Sequence, residues 1–192
     1  MILEGLVTTT DADGQPHLAP MGPRVNIDFT RLLLRPFPTS QTGQNLLRHG
    51  EGVFHITDDA ALIARSAAGL LKERPSTHAA SKIRGFVLAE CCRSYEFVVR
   101  CANTSNERFE LDAEVVAVGT HREFIGFNRA RHALLEAAIL ATRFHLISEQ
   151  DIAAEFRKLG TIISKTGDDA ELVAMAELRE AHDRFRALGA SP

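Results

Sequence analysis

A change of hydrophobic period near Asn128 divides this chain and limits what it can fold into. Up to Thr120 the apolar residues come in short runs broken by turn residues; from Asn128 they recur at helical spacing. Met1–Thr10 is predicted as a strand closed by the Asp13-Gly14 turn, and His17–Asn26 as a second, proline-broken strand. Arg31–Arg35 reads as a third strand, Gln44–His49 as a short helix and Gly52–Thr57 as a fourth strand. Asp58–Arg74 is Ala/Leu-rich and helix-like, ending before Pro75. Phe86–Cys101 and Phe109–Thr120 supply two long strands; in the second, Leu111, Ala113, Val115 and Ala117 share one face, while Asp112 and Glu114 share the other. Successive short strands with tight turns argue for a barrel rather than a parallel sheet. Downstream, helices are expected over Asn128–Ile147, from the Ser148–Asp151 cap to about Ile163, and over Asp168–Leu188. The expected fold class is therefore α+β: a six-stranded barrel over residues 1–122, with a helical insertion at about 58–85, and a three-helix annex over 123–192.

Composition narrows the chemistry. A chain of 192 residues, 45% hydrophobic and 24% charged, has enough material for one large domain or a core with an annex. The formal net charge of -3 gives no basic field to recruit nucleic acid. No apolar run approaches membrane-spanning length. The opening residues carry Glu4 and no basic leader, and Cys91, Cys92 and Cys101 make an odd set, so reduced thiols in a cytoplasmic protein are expected. Adjacent Cys91 and Cys92 would point to opposite sides of a strand. The eight histidines form no HExxH or paired-ligand spacing, so no metal site is expected. The sequence also lacks GxGxxG after a strand, GxxxxGK[ST] and GxSxG.

Three groups of residues carry candidate chemistry. Between Leu32 and Thr57 a strand, a Ser/Thr-rich turn, a short helix and a strand place Arg35, Thr39, Ser40, Gln41, Thr42 and Asn45 around one helix start. A helix start offers N–H groups without internal partners and a positive dipole end, and the side chains add hydroxyls and a guanidinium. That set suits a phosphate; the alternative is a helix cap needing no ligand. Met21-Gly22-Pro23-Arg24 reads either as an edge strand or as backbone that lets a flat ring approach at Gly22. Asn128 suits a helix N-cap, Arg129 and Arg143 stand near opposite ends of that helix, and Arg131 reads as part of a solvated basic face. Asp58-Asp59 and Asp168-Asp169 sit at helix starts, where dipole stabilisation explains them.

The order Leu34-Arg35-Pro36-Phe37, Ser40-Gln41-Thr42, Asn45-Leu46 and Thr57-Asp58-Asp59 resembles the FMN-binding split barrels, and within them the DUF447 family. Phe127-Asn128-Arg129-Ala130 and Ala141-Thr142-Arg143 extend the likeness over nearly the whole chain. The resemblance implies a split β-barrel with FMN as cofactor. Thr39, Ser40, Gln41 and Thr42 would then meet its phosphate, with Arg35 as the charged contact and Pro36, Phe37 and Asn45 in the same corner. Met21 and Gly22 would lie against the ring with Arg24 nearby, and His55 and Thr57 would close the neighbouring strand. Relatives often carry Asn where this chain has His55, so that side chain is either a titratable neighbour of the flavin or a strand histidine with a satisfied ring. Asn128, Arg129 and Arg143 are implied in the substrate or flavin pocket. A homodimer with the flavin near its interface follows from the same likeness, acting on a small-molecule substrate and on neither nucleic acid nor membrane. The implied activity is hydride transfer between a reduced carrier and a small acceptor; the alternatives are a non-enzymatic FMN-binding or redox-sensing dimer and a scaffold that has lost flavin.

Overall fold

The computed structural model describes residues 1–189, which form two compact units. The first comprises Met1–Thr57 and Arg74–Phe124, the second Asp58–Glu73 with the chain from Ile125 onward.

The first unit is a curled antiparallel sheet. Its strands are β1 (Gly5–Thr10), β2 (Pro16–Met21), β3 (Arg24–Val25), β4 (Arg31–Leu34), β5 (Glu51–Ile56), β8 (Arg93–Asn103) and β9 (Glu110–Thr120), in the order β2-β1-β5-β8-β9-β4-β3. The short strands β6 (Thr77–Ala79) and β7 (Phe86–Leu88) pair separately, and helix α1 (Gln41–His49) links β4 to β5. The sheet order explains the curl. β2 and β3 stand at opposite edges, yet only Gly22 and Pro23 separate them. Two residues span roughly 7 Å of chain, so the two edges must meet there. Met1–Leu3 completes the closure: Ile2 bridges Arg24, Val25 N–H donates to Met1 O at 2.8 Å, and Leu3 N–H donates to Pro23 O at 3.2 Å. A Cβ on Gly22 would fall 2.9 Å from the Ile2 side chain and 3.1 Å from Glu4 Oε1, so a larger residue there would have to displace both side chains. The expected second strand thus becomes two, and the sheet has seven strands rather than six. Val7, Leu32, Leu34, Leu46, Phe54, Tyr95, Phe97 and Leu111 fill the barrel interior.

Other boundaries moved for local reasons. Phe86–Cys101 is not one strand: the chain turns between Leu88 and Arg93, so Cys91 and Cys92 lie in the turn and both are buried. α1 begins at Gln41, three residues earlier than expected, because Ser40 is its cap. On β9, Leu111 and Ala113 face the core as the alternation predicts. Register shifts at Glu96/Phe97 and Val99/Cys101 in the β8–β9 ladder then break that alternation. The β6–β7 loop is pinned to the sheet by the buried Glu96 carboxylate, which accepts from Ser81 N–H at 2.8 Å and Lys82 N–H at 2.7 Å. Burial pushes Glu96 up, but these hydrogen bonds outweigh it and hold the carboxyl below its usual range.

The second unit packs α2 (Ala60–Ala67), α3 (Arg129–Ala141), α4 (Glu149–Thr166) and α5 (Asp169–Ala187) around one core. Alanines 60, 61, 64, 130, 133, 137 and 138 let α2 and α3 approach closely, and Ile152, Phe156, Leu159, Ile163, Met175 and Leu178 supply the bulk. α2 stops at Ala67, short of the expected Arg74, where Gly69 turns left-handed at φ 67°. α3 stops at Ala141, short of the expected Ile147. Asp59 caps α2, its carboxylate accepting from Leu62 N–H at 2.8 Å. Asp168 stands at the α5 cap, its own N–H donating to Glu171 Oε2 at 2.9 Å.

Candidate functional site

β4 delivers the chain to a corner that the rest of the first unit holds firmly. Arg35 leaves the end of β4 exposed, with Nε 3.7 Å from Glu110 Oε1 at the head of β9. Pro36 O accepts from Phe109 N–H at 3.0 Å, which ties the loop to β9. Phe37 is half exposed, and the Arg108 guanidinium lies 3.8 Å above its ring. Ser40 Oγ accepts from Gly43 N–H at 3.1 Å and donates to Phe37 O at 2.7 Å, so its hydroxyl caps the helix and closes the loop together. A Cβ on Gly43 would stand 2.7 Å from Phe37 O, so the loop folds this tightly only over glycine.

Inside the corner, Thr42 and Asn45 are buried while Thr39 and Gln41 face solvent. Asn45 is wholly enclosed. Its Nδ2 donates to Thr9 Oγ1 at 2.9 Å, and its Oδ1 accepts from Gln41 Nε2 at 2.7 Å and from an Arg48 N–H at 3.3 Å. Asn45 therefore fixes α1 to β1 and aims the helix start outward. The exposed donors of the corner are Thr39, Gln41, Arg35 and the head of α1. That donor set suits an anion.

Met21, Gly22 and Arg24 span the junction of β2 and β3, where the two sheet edges meet. Met21 ends β2 opposite Gly5, and Arg24 is exposed and pairs with Leu33, two residues before Arg35. His55 shares a cross-sheet row with Pro20, the residue before Met21, since Leu6 pairs with both. Its ring is fully enclosed: Nδ1 lies 3.3 Å from Leu6 O and Nε2 accepts from Leu88 N–H at 3.1 Å. This arrangement requires the neutral tautomer with the proton on Nδ1. Burial pushes the ring down to about 4, with His121 and His78 acting in the same direction and the Leu6 bond opposing. Thr57 follows β5 and is buried.

Asn128, Arg129 and Arg143 belong to the second unit. Asn128 caps α3 as expected: Oδ1 accepts from Ala130 N–H at 2.8 Å and Arg131 N–H at 3.1 Å, and Nδ2 donates to Thr166 O at 3.0 Å. Arg129 is exposed in the first turn; Arg143 is exposed just past the helix end, roughly 20 Å away along the axis. Arg131 does not sit on a solvated face. Its guanidinium lies 3.2 Å from Glu171 Oε1 and 3.7 Å from Asp58 Oδ2, and both carboxylates are buried. Sequence reasoning missed Thr9, Arg108 and Glu110 as well. All three reach the corner through strand neighbours (β1 and β9), a pairing that no local pattern around Arg35 reveals.

Residues 3–122 match the family model described as the N-terminal domain of a protein of unknown function (DUF447), and residues 128–180 match the model described as protein of unknown function (DUF447). The chain belongs to the DUF447 family. An FMN-bound DUF447 protein of Methanosarcina mazei is similar to this DUF447 chain at 26% identity and TM-score 0.79, over 94% of each chain. The flavin reductase of the styrene monooxygenase of Pseudomonas putida matches 62% of this chain and 81% of its own at 13% identity, TM-score 0.52. A flavoredoxin of Methanosarcina acetivorans matches 62% of this chain and 68% of its own at 15% identity, TM-score 0.52. The fold is thus that of the flavin reductase-like split barrels. No functionally curated protein matches the chain. Among the described residues no helix is long and apolar enough to cross a membrane.

Proposed function

We propose that this DUF447 chain binds FMN and serves as an FMN-dependent oxidoreductase, passing hydride between a reduced carrier and a small acceptor. The observation that carries the reading is the FMN-bound relative, which matches 94% of the chain at 26% identity. The corner at the start of α1 fits the phosphate. Among the described residues Arg35 pairs with one half-exposed carboxylate at 3.7 Å, an interaction worth about 0–1 kcal/mol. A phosphomonoester carrying about −1.5 to −2 charges competes well against it. Thr39, Gln41 and the head of α1 add neutral donors, the buried Thr42 would offer its backbone N–H rather than its hydroxyl, Ser40 and Asn45 hold that head in place, and Pro36 and Phe37 shape the loop. Met21, Gly22 and Arg24 would offer backbone and a cation to the ring, and Thr57, buried just after β5, would complete the set. When bound, FMN would supply the redox chemistry.

The proposal includes a homodimer, which would cover Ile27 (78% exposed) and Val118 (58% exposed) on the first unit. It also includes a cytoplasmic setting, in keeping with three free cysteines. The test is the absorbance of protein incubated with excess FMN or riboflavin and then desalted. Flavin bands are expected with FMN and not with riboflavin, and Arg35→Ala should weaken FMN retention about tenfold, one charge-assisted contact. A colourless protein in both samples overturns the reading.

A further inference from the structure

The second unit carries a cleft that its helical core does not account for. Its volume is about 470 Å³, and it is walled by Ala133 on α3 and by Leu159 and Ile162 on α4. Phe127 also lines it; the residue is 92% exposed and its ring lies 5.9 Å from that of His132. Arg129, His132 and Glu136 line the α3 side, spaced at three, four and seven residues and hence on one helix face. Among the described residues no carboxylate lies within ion-pair reach of Arg129. Asn128 lines the rim, but its side chain is consumed by the α3 cap and Thr166 O.

We infer that this cleft binds a small, flat aromatic molecule bearing an acid group. Size favours it: pockets for small organic ligands run from roughly 300 to 1,000 Å³, mostly apolar with a few converging polar groups. The aliphatic walls and the two rings, Phe127 and His132, offer a slot for an aromatic plane. The unpaired guanidinium of Arg129 at one end recognises a carboxylate, sulfonate or phosphate through paired N–H donors. Glu136, one turn beyond His132, accepts from a ring N–H or hydroxyl and disfavours a second acid there. The inference needs no flavin, because every residue invoked lies in the second unit.

The experiment titrates naphthoate and its neutral isostere naphthamide into the whole protein, with and without FMN, reading naphthalene fluorescence polarisation. Naphthoate should bind about tenfold more tightly than naphthamide, the worth of one charge-assisted contact. Arg129→Gln should erase that preference while leaving naphthamide binding unchanged. Phe127→Ala should weaken both by about tenfold, and Arg157→Ala, on an exposed position of α4 away from the cleft, should change neither. All three positions are exposed, so thermal melts should match wild type. Naphthoate binding should also persist in Arg35→Ala, which separates this site from the proposed flavin corner. Equal affinity for the two probes, binding indifferent to Arg129→Gln and Phe127→Ala, or no naphthoate binding at all overturns the inference. A cleft closed by a second copy would show as the last outcome, together with a change in sedimentation for Phe127→Ala.

Discussion

His55 shows how burial alone converts a titratable side chain into a fixed part of the sheet. Its two ring nitrogens join three strands, through Leu6 O on β1 and Leu88 N–H on β7, with the ring itself on β5. A second proton would set an Nε2–H against the Leu88 N–H, so the folded state resists protonation. The folded value is about 4 against an ordinary 6.5. Between those values the unfolded chain takes up a proton that the folded chain refuses, so stability is full above about pH 6.5 and falls as pH drops toward 4. At pH 5 the loss attributable to His55 is roughly 2 kcal/mol. Urea unfolding of wild type and His55→Asn at pH 7 and pH 5 measures it. His55→Asn should be weaker at pH 7, and its further loss at pH 5 should be smaller than wild type's by that amount. The comparison cancels groups common to both, including His17, which burial also lowers. Parallel pH dependences would mean that His55 protonates equally in both states. The sequence left this residue open between two roles, because its environment is made by strands that are distant in the chain.

At the scale of elements, what could be read from sequence was what neighbouring residues settle among themselves. Asn128 and Asp59 announced helix starts because a short polar side chain and the N–H two or three residues on are a local pair. The α1 corner was legible for the same reason, although the true cap, Ser40, lay four residues before the expected helix start. The break between β7 and β8 was not legible, since neither Gly nor Pro marks the turn at Ala89–Cys92. Arg131 was misread because its partners come from α2 and α5. Its cation meets the buried carboxylates of Asp58 and Glu171, while Asp58 Oδ2 also accepts from Ile125 N–H at 3.0 Å. Arg131→Met keeps the aliphatic reach and removes the charge, leaving two buried carboxylates with less compensation. Breaking such a network costs about 3–5 kcal/mol. The loss in urea unfolding at pH 7 should therefore be near 3 kcal/mol. An unchanged midpoint would show that the carboxylates are satisfied without Arg131.

For the whole molecule, the decisive fact is that the second unit is assembled from two separated stretches of chain. The period change at Asn128 marks where helices become continuous, yet α2, far upstream between β5 and β6, shares their core. Ala60, Ala61 and Ala64 of α2 are buried in it, and Arg65 Nε reaches Glu177 Oε2 on α5 at 2.6 Å. Three buried methyls and the surface they cover amount to roughly 3 kcal/mol. A helical unit of this size has a margin of only about 3–5 kcal/mol. Residues 123–192 on their own should therefore show helical circular dichroism without a cooperative urea transition. Adding a synthetic peptide of residues 58–73 should restore a sigmoidal transition whose midpoint rises with peptide concentration, because binding to the folded form alone stabilises it by mass action. A sharp transition without the peptide would mean that α3, α4 and α5 are self-sufficient and that α2 merely lies against them. The expected outcome instead makes α2 a required part of the helical unit: the chain cannot finish that core until the stretch between β5 and β6 has been supplied, wherever along the sequence the helical period begins.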